Sequence, residues 1–375
     1  MRNLVLIPSL IVLIGIVFIF GLTVGVYKIF PYEILDSSLD TIKEEAPTEN
    51  NQFITQSDLN TLVRIDGKSD IEKKRNDLTE FFWNVGSLQR VQHDGQLPEI
   101  ESDIYDSRYN DLQNLKRIDK LTVEMEYGID SVSYLLLPEE SNQKLILYHH
   151  GHDGDFILGS NTIQFFLERN FTVLAMTMPL VGMNNQPIVG IDGFGEMKLI
   201  SHDQFNLLEK NKFNPMKLFT NPIQVNLNYL DKEYDFKRYS IIGLSGGGWI
   251  GLVYSAIDDR ISDSFSIASS LPFYLRVDAR DVGDYEQTNV NLYKITNYLE
   301  LYVLAGYGDD RKHIQIFNKN DPCCYSGIGY ESYEFFIKDK LVELGKGSFQ
   351  ILIDDTHNEH KISDTMLEYI RKNIG

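Results

Sequence analysis

The segment Tyr239-Ser-Ile-Ile-Gly-Leu-Ser245-Gly-Gly-Gly-Trp-Ile-Gly-Leu252 constrains the fold more than any other part of the chain. A strand-forming run enters a glycine-flanked serine, and an apolar stretch of helical character leaves it. A serine on so sharp a turn has strained backbone angles and little room beside it. Gly243 and Gly247 let the flanking strand and helix approach while the Ser245 hydroxyl stands clear, and the helix points its first amides at the same place. Ser245 is therefore the candidate nucleophile, against the plainer reading of a glycine-rich turn with a surface serine. A dinucleotide-binding loop is excluded, because it needs G-x-G-x-x-G and an acid roughly twenty residues further on, and Gly246-Gly247-Gly248 lacks that spacing.

The rest of the chain fits a sheet around this segment. Leu121–Tyr127 alternates apolar and polar residues, and Val132–Leu137 follows across a Gly128 turn, which predicts an antiparallel hairpin. Short runs apolar on both faces then recur at Leu145–Tyr148, Phe171–Ala175, Tyr239–Ile242, Asp263–Ile267, Ile314–Phe317 and Phe349–Ile353. Segments long enough for crossover helices separate them, among them Asn161–Asn170, Trp249–Ile257 and Tyr333–Leu344, with a last helix over Thr365–Asn373. The expected class is α/β, a mainly parallel sheet with helices on both faces, occupying residues 66–375. Ser69–Trp83 carries Ile71, Leu78, Phe81 and Phe82 at near-helical spacing and predicts an amphipathic helix. Residues 179–236 exceed a simple crossover and are expected to hold a lid or cap insert.

The candidate site residues fall at the ends of these runs. Leu145–Tyr148 ends in His149-His150-Gly151-His152-Asp153-Gly154, a strand-end His-Gly loop suited to an oxyanion donor. The backbone N–H groups of His152 and of Gly246 are the two candidates. His149 and His150 point to opposite faces of an extended strand and do not converge on one ion, so no metal and no cofactor are expected. Asp321 follows the Ile314–Phe317 run with Pro322 fixing the turn and is the best orienting acid. Asp309 and Asp310 precede that run and read as solvated turn residues. Beyond the last run, His357 and His360 compete as general base, and a loop position just ahead of the final helix favours His360.

His150-Gly151, Gly243–Gly247, Asp321 and His360, in this order, resemble the α/β-hydrolase superfamily from about Leu121 to the end of the chain. The resemblance implies acyl transfer through an acyl-enzyme, with His360 taking the proton of Ser245, Asp321 fixing the imidazole, and two amides holding the oxyanion. It implies hydrolysis of a carboxylic ester, or deacylation, of a small molecule or glycan. A peptidase, an O-acyltransferase or a non-catalytic binding domain are the alternatives. The polar and aromatic insert, with Ser201-His202-Asp203, and the later Gly283-Asp284-Tyr285-Glu286 suit a carbohydrate ester as well as they suit ordinary lid packing.

The formal net charge of −19 excludes a phosphate-backbone ligand, so no nucleic-acid partner is expected. Leu4–Tyr27 has no charged residue and as a helix would be about 36 Å long, enough to cross a bilayer core of roughly 30 Å. Residues 1–28 are therefore expected to be a transmembrane anchor, longer than the apolar region of a cleaved signal peptide. Residues 29–65 are acidic and polar, and read as a juxtamembrane linker. Arg2 before the span and seven acids against Lys43 and Arg64 after it predict a single-pass membrane protein with an extracytoplasmic catalytic domain, a bias that Lys28 weakens. The adjacent Cys323 and Cys324 form no spaced disulfide framework.

Overall fold

The computed structural model describes residues 56–375 apart from Asp94, Asn211 and Lys212. The Leu4–Tyr27 span and most of the linker lie outside the described residues. Among the described residues no helix is long and apolar enough to cross a membrane.

Among the described residues eleven strands form: β1 Glu99–Glu101, β2 Leu115–Glu124, β3 Asp130–Pro138, β4 Lys144–His149, β5 Thr172–Met176, β6 Ile188–Ile191, β7 Gly195–Lys198, β8 Arg238–Leu244, β9 Ile261–Ile267, β10 Lys312–Asn318 and β11 Ser348–Asp354. Nine of them make one sheet in the order β1-β2-β3-β5-β4-β8-β9-β10-β11. From β5 to β11 every pairing is parallel, and β1, β2 and β3 add an antiparallel flank. The hairpin forms in register Leu121 against Ser133. All six apolar runs become the parallel strands.

Alternate residues of these strands feed two cores, one on each face. In β4, Leu145 and Leu147 join one cluster while Ile146 and Tyr148 join the other, and in β5 Leu174 and Val173 divide the same way. Helices Lys68–Trp83, Lys217–Glu233, Gly246–Ile257, Tyr298–Gly306 and Glu334–Leu344 cover the first face, and Ser160–Leu167 and Asp364–Asn373 cover the second. Gly246–Ile257 is buried along its whole length, consistent with a helix apolar all round.

Two expectations are corrected. The folded domain includes residues ahead of Asp66: Gln56–Leu62 is helical, and Leu59, Val63 and Ile65 are buried in the first core. The Asn297 amide donates to Leu62 O at 2.7 Å and Glu300 accepts from Arg64 N at 2.8 Å, so residues 56–65 are docked rather than a free linker. Within the 179–236 insert, Lys217–Glu233 is a buried core helix and not part of a lid. Its amide-rich sequence hides this, because Asn221, Gln224, Asn226 and Asn228 are buried. Each finds a specific partner: Gln224 and Asn228 donate to Val91 O, Asn226 donates to Ser133 Oγ, and Asn221 accepts from Trp83 Nε1. Residues 188–208, the β6–β7 hairpin and a 3-10 turn, remain as the inserted part.

Candidate active site

Because β4 lies between β5 and β8, the loops leaving β4 and β8 emerge side by side at the carboxyl edge of the sheet, with His149 paired to Gly243. Such an edge collects loop residues from several strands and is the usual ligand-binding edge of a parallel sheet. Asp321 follows β10, and His357 and His360 follow β11, at the same edge.

Ser245 takes φ 56° and ψ −129°, a backbone conformation costing about 1–3 kcal/mol in a residue with a side chain. The surrounding glycines are required by contact. A Cβ on Gly243 would lie 2.2 Å from Gly247 O, one on Gly247 2.1 Å from His149 O, and one on Gly248 2.6 Å from Ser269 Cβ. The elbow also closes against the β4 loop. A Cβ on Gly151 would fall 2.7 Å from Ser245 Cβ and 3.3 Å from its Oγ, so the Gly151 backbone lies directly against the Ser245 side chain. That loop is pinned by His150 N donating to Met176 O at 2.8 Å and by Thr177 Oγ1 donating to Gly154 O at 2.7 Å. Gly246 is the first residue of its helix, so its N–H has no acceptor within the helix.

Asp321 and His360 meet. His360 Nδ1 lies 2.8 Å from Asp321 Oδ2 and 3.0 Å from Oδ1, so that nitrogen carries the hydrogen and donates. Asp321 is 7% exposed. Its remaining capacity is filled by Cys323 N at 2.8 Å and by the Asn318 amide at 3.0 Å. Asn318 also donates to Lys361 O at 3.0 Å, and so ties the acid's loop to the histidine's loop. Burial pushes the Asp321 carboxyl upward, but the His360 hydrogen bond and charge together with the Cys323 N–H hold it below its ordinary value. Burial works to lower His360, and the Asp321 hydrogen bond and charge outweigh it, leaving the imidazole above its ordinary 6.5. His360 Nε2 is buried with no hydrogen-bond partner among the described residues. Catalytic hydrogen bonds without substrate are commonly longer than those in the reacting complex.

His357 lies elsewhere: its Nε2 is 3.2 Å from Asp354 Oδ2 and its Nδ1 accepts from Glu359 N. Asp309 pairs with Lys346 and Asp310 with Arg238 in the turn before β10, as expected of turn residues. His149 is buried and hydrogen-bonded to His150 O at 2.9 Å, and burial lowers it to about 4. A cavity of about 260 Å³ lined by Leu62, Pro272, Phe273 and Tyr298 does not include Ser245, Asp321 or His360.

Two loops singled out in the sequence for their polar and aromatic residues also reach this edge. His202 and Glu286 converge on the His152 ring, whose Nε2 lies 3.0 Å from Glu286 Oε1 and 3.2 Å from His202 Nδ1. The other side of that ring rests on Gly246, where an added Cβ would lie 2.3 Å from His152 Cε1. No sequence spacing signals this cluster, because its members come from separate loops after β4, β7 and β9.

No family model and no curated relative matches the chain. Solved structures do. Acetyl Xylan Esterase 1 from Thermoanaerobacterium sp. JW/SL YS485 superposes with a TM-score of 0.56 over 86% of this chain and 98% of its own, at 15% identity. An acetyl xylan esterase from Paenibacillus sp. R4 gives 0.53 over 86% and 99%, at 14% identity. The chain shares their fold. Within this shared fold, the strand-to-helix elbow and the His-Gly loop stand against each other, and the Asp321–His360 pair stands at the same edge.

Proposed function

We propose that this chain is a serine esterase of the α/β-hydrolase type. Ser245 Oγ attacks the carbonyl carbon of a carboxylic ester while His360 Nε2 takes its proton. Asp321 holds the ring with its hydrogen on Nδ1 and stabilises the imidazolium that forms. The backbone N–H groups of Gly246 and His152 receive the oxyanion. The intermediate then collapses, His360 returns the proton to the departing alkoxide, and the acyl group remains on Ser245. Water, deprotonated by the same imidazole, attacks the acyl-enzyme and releases the acid. The observation that carries this reading is the Asp321–His360 hydrogen bond at the sheet edge that also presents a serine at positive φ.

The substrate class we propose is a short acyl ester on a small molecule or glycan. Its support is the fold shared with two acetyl xylan esterases and the polar and aromatic loops at the site edge. The apolar, uncharged Leu4–Tyr27 span further supports a membrane-held enzyme with its catalytic domain outside the cytoplasm. A fluorophosphonate probe should label the wild type on Ser245 and leave Ser245→Ala unlabelled and inactive on p-nitrophenyl acetate. Equal labelling of the variant would overturn the nucleophile. Release of acetate from acetylated xylan, set against hydrolysis of longer p-nitrophenyl acyl esters, tests the substrate class.

A further inference from the structure

His152, His202, Asp284 and Glu286 come from three loops, and their ligating atoms all lie within 4.8 Å of one another. Glu286 is fully buried and among the described residues its Oε2 has no hydrogen-bond partner, although it points into the cluster 3.3 Å from His202 Nδ1. The His202 ring is 3% exposed and fixed between Phe205, stacked at 5.6 Å, and Phe219, edge-on at 5.0 Å. Its Nε2 lies 2.8 Å from Pro179 O, which only accepts, so Nε2 carries the hydrogen. With Nε2 committed to Pro179 O, His202 Nδ1 faces two carboxylates and the His152 nitrogen. Such an arrangement calls for positive charge at its centre. An imidazole whose far N–H donates to a backbone carbonyl is the usual support of a metal-bound histidine.

The spacing agrees. With zinc–ligand distances of about 2.0–2.1 Å, neighbouring ligands of a tetrahedral site stand about 3.3–3.4 Å apart. Here the pairs measure 3.0 Å for His152 Nε2 to Glu286 Oε1, 3.2 Å for His152 Nε2 to His202 Nδ1 and 3.3 Å for His202 Nδ1 to Glu286 Oε2. Asp284 Oδ2 stands 3.5 Å from His152 Nε2 and 3.7 Å from His202 Nδ1. Two imidazoles and two carboxylates are ligands that zinc accepts, and the two carboxylate charges would neutralise a divalent ion.

We propose that His152 Nε2, His202 Nδ1, Asp284 and Glu286 bind a divalent cation of the zinc class. The ion would lock the inserted segment and the post-β9 loop onto the His150–Gly154 loop. Bound at Nε2, it would also leave the hydrogen of His152 on Nδ1, the side of the ring that rests on Gly246.

The test uses the purified full-length chain, stripped with a chelator, dialysed, and titrated with Zn²⁺ by calorimetry and with Co²⁺ by visible absorption. One equivalent should bind, Co²⁺ should give the strong d–d bands of four-coordination without a thiolate charge-transfer band, and Zn²⁺ should raise Tm. Asp284→Asn, at an exposed position, should fold and weaken Zn²⁺ binding at least about tenfold. Glu286→Gln should weaken it further, and if that variant does not fold the exposed-site variant still decides. The proposal is overturned if the wild type binds no Zn²⁺ or Co²⁺, or if Asp284→Asn binds as tightly as wild type. A thiolate band would also overturn it by moving the ion to Cys323, Cys324 and His360. None of these readouts depends on esterase activity.

Discussion

Replacing Asp321 by Asn tests the proposed charge arrangement at a single atom. One carboxylate oxygen accepts from Cys323 N, the other from the Asn318 amide, and His360 Nδ1 faces both. Either orientation of the new amide therefore turns an NH₂ toward an existing donor. The simplest relief is for His360 to move its hydrogen to Nε2, the nitrogen that must accept the proton of Ser245. Losing a charge-assisted hydrogen bond costs about 1.5–3 kcal/mol, and a mispaired buried donor adds about 1–3 kcal/mol. At 1.36 kcal/mol per decade, that sum predicts a loss in kcat/KM of roughly 10²- to 10⁴-fold. The pH profile gives an independent readout. His360 acts when deprotonated, so kcat/KM should rise with pH through an imidazole value above 6.5 in the wild type. In Asp321→Asn the burial that lowers this imidazole loses its main opponent, and the acid limb should move to lower pH. The assay is kcat/KM on p-nitrophenyl acetate from pH 5 to 9, with circular dichroism showing retained fold. A loss under tenfold with an unmoved acid limb would refute Asp321 as the orienting acid.

The two histidines of the last loop should separate cleanly. His360→Ala should lose at least 10³-fold in kcat, because members of such a triad act as one unit. His357→Ala should keep most activity and lower stability by about 1 kcal/mol, since Asp354 retains its bonds from Thr356 and Ser363; measured kcat and Tm in the reverse order would reassign the base. Full-length protein should stay in the membrane fraction after alkaline wash, and protease added to intact cells should cut near Gln52–Gln56 if the catalytic domain faces outward. Full protection until the membrane is opened would place that domain on the cytoplasmic side.

Much of this molecule is legible in the chain because its rules are local. The six parallel strands show as short runs apolar on both faces, the period expected of strands buried on both sides. Ser245 shows because a strained strand-to-helix turn demands small neighbours at Gly243, Gly247 and Gly248, a requirement written within six residues. The choice of Asp321 and His360 over Asp309, Asp310 and His357 follows from their order and strand-end position, yet only tertiary structure brings them within 2.8 Å, through an Asn318 amide that no pattern singles out. The helix Lys217–Glu233 was concealed because its buried face carries amides, and burial of an amide depends on distant partners such as Val91 O and Ser133 Oγ. For the same reason residues 56–65 look like linker until Leu59, Val63 and Ile65 join the first core and Leu62 O and Arg64 N pair with Asn297 and Glu300. The His152–His202–Glu286 cluster joins residues up to 134 positions apart, and no spacing rule spans such a distance. Sequence determined the strands, the elbow and the order of the site residues, since each depends on neighbours along the chain; the tertiary structure decided which side chains share an electric field, since that depends on neighbours in space.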